Sequence, residues 1–109
     1  MAYDEKIEES IDAAVRRWRG FVKKKMFGGV GYLLHGNMCF GVHKKYLIIR
    51  CGRDAYETQL MKPGVRQFDI TGRPMRGWVM VPKSIVADPD VLESWLALAK
   101  KFTATLPRK

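Results

Sequence analysis

Apolar residues recur along this chain first at helical and then at alternating spacing, and the change of period marks out its elements. Ile7, Ile11, Ala14, Val15 and Trp18 share one face of a predicted helix that Asp4 caps and Gly20 stops. Its acids come first and Arg16, Arg17 and Arg19 last, the order that the helix dipole favours. From 24 to 51 the pattern alternates, with strand runs at 30–35, 38–43 and 46–51. Gly36-Asn37 separates the first two runs, with glycine where a type II′ hairpin wants it, and Lys44-Lys45 is a weaker turn between the next two. A short helix over 54–60, closed by Pro63, precedes strands at 65–70 and 77–81. Asp88 as N-cap and Pro89 at the first helical position open the last helix, whose stripe is Leu92, Trp95, Leu96, Ala99 and Phe102. The predicted order is α-β-β-β-α-β-β-α. This is an α+β fold, an antiparallel sheet of about five strands with N-terminal and C-terminal helices and one short middle helix. No repeat or linker divides 1–109, and 109 residues suit one core, so a single domain is expected.

Two-residue turns fix a register. The second hairpin sets Val42 against Leu47, Phe40 against Ile49 and Met38 against Cys51, and the first adds Leu33 opposite Phe40. That face is apolar apart from one thiol and is expected to be buried. The other face carries Tyr32, Leu34, Cys39, Ile48 and Arg50, and needs helices or a second subunit to cover it. On this register Cys39 and Cys51 lie on opposite faces. That argues against a disulfide between them and against a metal shared with His35 and His43, so no metal and no cofactor is expected.

Composition adds the placing of charge. The net charge is +9, from 20 basic and 11 acidic residues. Most acids open the first and last helices, so 13–87 holds fifteen Lys or Arg against only Asp54, Glu57 and Asp69. Such a field attracts nucleic acid, acidic proteins or phosphorylated ligands, and an equally open reading is a soluble surface with no specific partner. An apolar content of 47% argues against wholesale disorder. No apolar run is long enough to span a membrane and the acidic N-terminus is unlike a signal sequence, so a cytosolic protein with no membrane partner is expected.

Three motifs stand out together: Lys24-Lys25-Met26-Phe27-Gly28-Gly29, Gly36-Asn37-Met38 with Gly41-Val42, and Thr71-Gly72-Arg73-Pro74-Met75-Arg76-Gly77-Trp78. With Ile49-Arg50-Cys51-Gly52 running into Tyr56-Glu57, their order and spacing resemble the TfoX N-terminal domain of bacterial competence regulators, over nearly the whole chain. The resemblance implies a secretion-chaperone-like α+β fold and a role in regulating competence genes or a less defined binding role. It brings no catalytic residues. It is a resemblance to the N-terminal domain alone, and the second, C-terminal domain of full-length regulators has no counterpart in these residues, so a stand-alone N-terminal-type domain is expected.

Each motif also has a plainer reading. Gly28-Gly29 lacks phosphate-loop spacing and the strand–loop–helix setting, so a tight bend is the better account. Gly72 and Pro74 are turn residues, and Arg73 and Arg76 suit pairing with Asp69 or capping of carbonyls. The functional alternative brings Arg50, Arg73, Arg76 and Lys24 or Lys25 together on an anionic ligand or partner. A protein-binding regulatory module, with a protein partner or a homodimer, is the first expectation. Direct nucleic-acid binding, with Arg16, Arg17, Arg19 and Lys23–Lys25 as a phosphate-facing strip, is the second. An enzyme is not expected: Cys39 opposite Arg50 is the only pairing that would activate a nucleophile.

Overall fold

The computed structural model describes residues 3–26, 28–69 and 72–108. Phe27, Ile70 and Thr71, which belong to the motifs and to the end of one predicted strand, lie outside the described residues. The Asp4 carboxylate accepts from the amides of Lys6 and Ile7 at 2.9 and 3.0 Å and opens α1 (Glu5–Ala14), which buries Ile7 and Ile11. The helix is shorter than its apolar stripe. Trp18 leaves it to pack against Phe21, with ring centroids 5.8 Å apart, and under the Lys100 ammonium at 4.6 Å. Gly20, at φ +86°, then turns the chain into a strand.

Among the described residues six strands form one antiparallel sheet in the order β1-β2-β3-β4-β6-β5, one more strand than expected. They are β1 (Phe21–Met26), β2 (Gly29–Leu34), β3 (Asn37–His43), β4 (Tyr46–Arg50), β5 (Arg66–Gln67) and β6 (Trp78–Pro82). The addition is β1, whose Lys23-Lys24-Lys25 hides the alternation; lysines are what an unpaired edge strand tolerates. Between β4 and β5 runs α2 (Arg53–Leu60), and after β6 come the short α3 (Lys83–Val86) and the long α4 (Pro89–Thr103), the latter capped by Asp88.

The second hairpin has the expected register, Val42 against Leu47 and Phe40 against Ile49. The first does not. Its turn residues are His35 and Gly36, at φ +51° and +86°, as a type I′ turn requires, rather than Gly36-Asn37. Asn37 is instead buried in β3, where its side-chain amide donates to the Pro107 carbonyl at 2.8 Å. The ladder then shifts, pairing Tyr32 with Phe40 and Leu33 with Met38, so that Cys39 is the extra residue of a β-bulge.

That bulge corrects the assignment of faces. Cys39 and Phe40 both enter the helix-side core, which also holds Tyr32, Leu34 and Cys51. The two cysteines thus share one side, both buried and both free thiols. Met38 turns to the other face, where it meets Met26 over Gly31, and it is not paired with Cys51. Two transverse rows, Val30-Val42-Leu47-Val81 and Tyr32-Phe40-Ile49-Val79, meet Ile7, Ile11, Tyr56, Val86 and the α4 stripe of Leu92, Trp95, Leu96 and Ala99. Each such large side chain stabilises the fold by about 1.5–3 kcal/mol on transfer from water. The outer face has the row Lys24-Gly31-Gly41-Ile48-Met80-Arg66. Ile48 and Phe68 are buried there, apart from the main core, in the neighbourhood of Met26, Met38 and His43.

Candidate anion-binding site

At one end of the sheet β4 leads into α2 through Cys51 and Gly52, and both of their amides donate to the Gly77 carbonyl, at 2.8 and 3.1 Å. Gly52 has φ +86° and ψ 159°, a region open essentially only to glycine, and a Cβ there would stand 2.5 Å from the Phe102 ring. Gly77, at φ +94°, backs onto it, since its own Cβ would lie 3.3 Å from the Gly52 carbonyl carbon. Two bare stretches of backbone therefore meet where side chains would otherwise fill the space. What is left is a cavity of about 560 Å3, bordered by Arg50, Arg53, Arg76, Trp78, Phe102 and the first turn of α2.

Arg50 is held in place. It pairs with Trp78 across the ladder, and its guanidinium lies 5.1 Å from the Trp78 ring and 5.9 Å from that of Phe102. Its Nη1 donates to the Met38 carbonyl at 3.2 Å. Arg53 and Arg76 are exposed. Asp54 also borders the cavity, yet among the described residues no carboxylate forms an ion pair with any of the three arginines. The first turn of α2 has no side-chain cap, because its N-cap is Gly52, so its amides and the positive end of its dipole are left to the cavity.

Of the predicted anion-binding residues, Arg50 and Arg76 come together here. Lys24 and Lys25 are on the edge strand β1, and Arg73 is exposed in the loop before β6; none of these three borders the cavity. Arg73 and Arg76 form no ion pair with Asp69 among the described residues. Arg53 was missed. Its only signal is its place directly after Gly52 at the start of a helix.

The strip of Arg16, Arg17, Arg19 and Lys23 is divided. The three arginines are exposed, whereas the Lys23 ammonium binds Glu8 and Asp12 at 2.6 and 2.9 Å. Desolvation pulls its pKa down, but these two carboxylates outweigh it and hold Lys23 above the ordinary lysine range. Tyr32, whose hydroxyl donates to Asp12 at 2.6 Å, is raised by burial and by that bond. Burial pushes the Cys39 thiol up to about 11 in spite of Arg50, the reverse of an activated nucleophile. Among the described residues no three His, Cys, Asp or Glu side chains are grouped to hold a metal ion, and no helix is long and apolar enough to cross a membrane.

Comparison with curated proteins and with solved structures returned no match. The family comparison did: residues 13–103, from the last two residues of α1 to the end of α4, match the TfoX N-terminal domain. That span takes in most of the chain and every motif noted above, and the chain belongs to the TfoX N-terminal domain family.

Proposed function

We propose that this domain is a non-enzymatic, cytoplasmic regulatory module of the competence-regulator type that acts through protein–protein contacts. The observation that carries the reading is the free edge of β1. Among the described residues no strand lies beside its outer backbone groups, and residues 22–25 are exposed, with Val22 65% accessible next to three lysines. An extended acidic segment added to this edge satisfies the backbone and the Lys24 and Lys25 ammonium groups together, while a second copy of the same strand meets like charge. The test is a Lys24→Glu, Lys25→Glu variant with an unchanged circular-dichroism spectrum, compared with wild type as bait in native extract. Proteins retained by wild type and lost by the variant are the expected result; identical retention overturns the reading.

Nucleic acid is the alternative occupant, favoured by the exposure of Arg16, Arg17 and Arg19 just ahead of the same strand. Binding of that kind weakens steeply with salt, roughly in proportion to the number of phosphates neutralised. Fluorescence anisotropy with a labelled duplex and a labelled single strand decides it. No binding at low salt removes this alternative.

A further inference from the structure

The cavity between β4, α2 and α4 has a composition that a protein-contact role at β1 does not need. Arg50, Arg53 and Arg76 border one space of about 560 Å3 without an ion-pairing carboxylate among the described residues. Three guanidinium groups stand there against the one carboxylate of Asp54, and such a surplus of like charge opposes folding, whereas charge that serves only solubility is spread with both signs interspersed. Arg50 is moreover fixed by Trp78, Phe102 and the Met38 carbonyl, which lowers the entropy lost when it grips an anion. The uncapped first turn of α2 adds amide donors to the same wall.

We propose that this cavity binds a small phosphate monoester. Its dianionic head is held by Arg50, Arg53, Arg76 and the α2 amides, and its organic remainder lies beside Trp78 and Phe102. Several guanidinium forks and amides suit the three terminal oxygens of a monoester, each bond charge-assisted. The volume falls within the ~300–1,000 Å3 of small-molecule sites and leaves room beyond a bare phosphate. A nucleic-acid backbone needs a groove that tracks successive phosphates, and this is a single recess.

Calorimetric titration with phenyl phosphate, ribose phosphate and adenosine monophosphate, beside inorganic phosphate and an unphosphorylated oligonucleotide, tests the proposal. At least one monoester is expected to bind one-to-one, about 10-fold or more tighter than inorganic phosphate. Arg53→Gln with Arg76→Gln, both at exposed positions, is expected to weaken it about 10-fold or more with an unchanged circular-dichroism spectrum. Arg50→Lys, which keeps the charge and loses the fork, is expected to weaken it as well. The proposal is overturned if no monoester outdoes inorganic phosphate, if the oligonucleotide competes equally, or if the double variant binds as wild type does. The β1 variant Lys24→Glu, Lys25→Glu is expected to keep monoester affinity within about 2-fold at ~0.15 M salt, where exposed charges a Debye length apart are screened. The β1 reading and the cavity proposal therefore fail separately.

Discussion

The two faces of the sheet are made by alternate residues of the same strands and are built in different ways. On the helix side, β-branched and aromatic residues interlock with four helices, and Phe40, Leu47, Ile49, Val79 and Val81 are wholly inaccessible. On the outer side, Gly31 and Gly41 sit back to back under Met26 and Met38, and among the described residues the large side chains buried there are Ile48 and Phe68. Flexible methionines over glycine make a surface that repacks easily, whereas the helix side has one arrangement. The fold is held from one side, and the other side is left adaptable.

Truncation separates the faces most sharply. Phe40→Ala on the helix side is expected to lose about 3–5 kcal/mol in denaturant unfolding, against about 1 kcal/mol for the half-buried Met80→Ala outside. Equal losses break the comparison. Adding an atom outside is less forgiving than removing several: a Cβ on Gly41 would stand 2.4 Å from the Val30 carbonyl oxygen. Gly41→Ala is expected to cost about 1–3 kcal/mol by pushing β2 and β3 apart, seen as a lower melting temperature. A smaller but cleaner readout is thiol labelling. Cys39 is inaccessible and its pKa is pushed up to about 11, so a disulfide reagent at neutral pH is expected to react with it at least about 100-fold more slowly than with free cysteine. Fast labelling removes Cys39 from the helix side.

The smallest effect is on pH. Burial, with Lys44 beside it, holds outer-face His43 below the ordinary histidine range, so the unfolded chain takes up the proton first. The contribution is complete above the unfolded value of roughly 6.5 and is lost as pH falls toward the lowered folded value. Melting temperatures at pH 7 and pH 5 are expected to differ less in His43→Gln than in wild type.

What could be read in advance follows from where local rules act alone. The Asp4 and Asp88 caps and the Val42–Leu47 and Phe40–Ile49 pairs rest on neighbours in sequence, and they are present. The first hairpin was misread because Asn37 is a good turn residue that a distant carbonyl recruits into a strand. That one-residue displacement hid the bulge at Cys39 and with it the common side of the two cysteines. β1 was invisible since an edge strand needs no alternation, and α1 looked longer because Trp18 keeps helical spacing while serving α4. In the cavity, Arg50 and Arg76 were legible as basic residues inside the motifs. Arg53, just outside them, was not, because only the backbone turn at Gly52 gives it a direction.

The bond from Asn37 to Pro107 links positions 70 apart in sequence. The buried amide at the start of β3 takes its acceptor from beyond α4 and not from its own hairpin. Loop-closure entropy grows only slowly with separation, so a partner this distant costs little more than a near one. The segment after α4 thus fastens the first half of the sheet to the final helix. Replacing Asn37 by a hydrophobic residue would leave the Pro107 carbonyl without this donor and loosen that fastening.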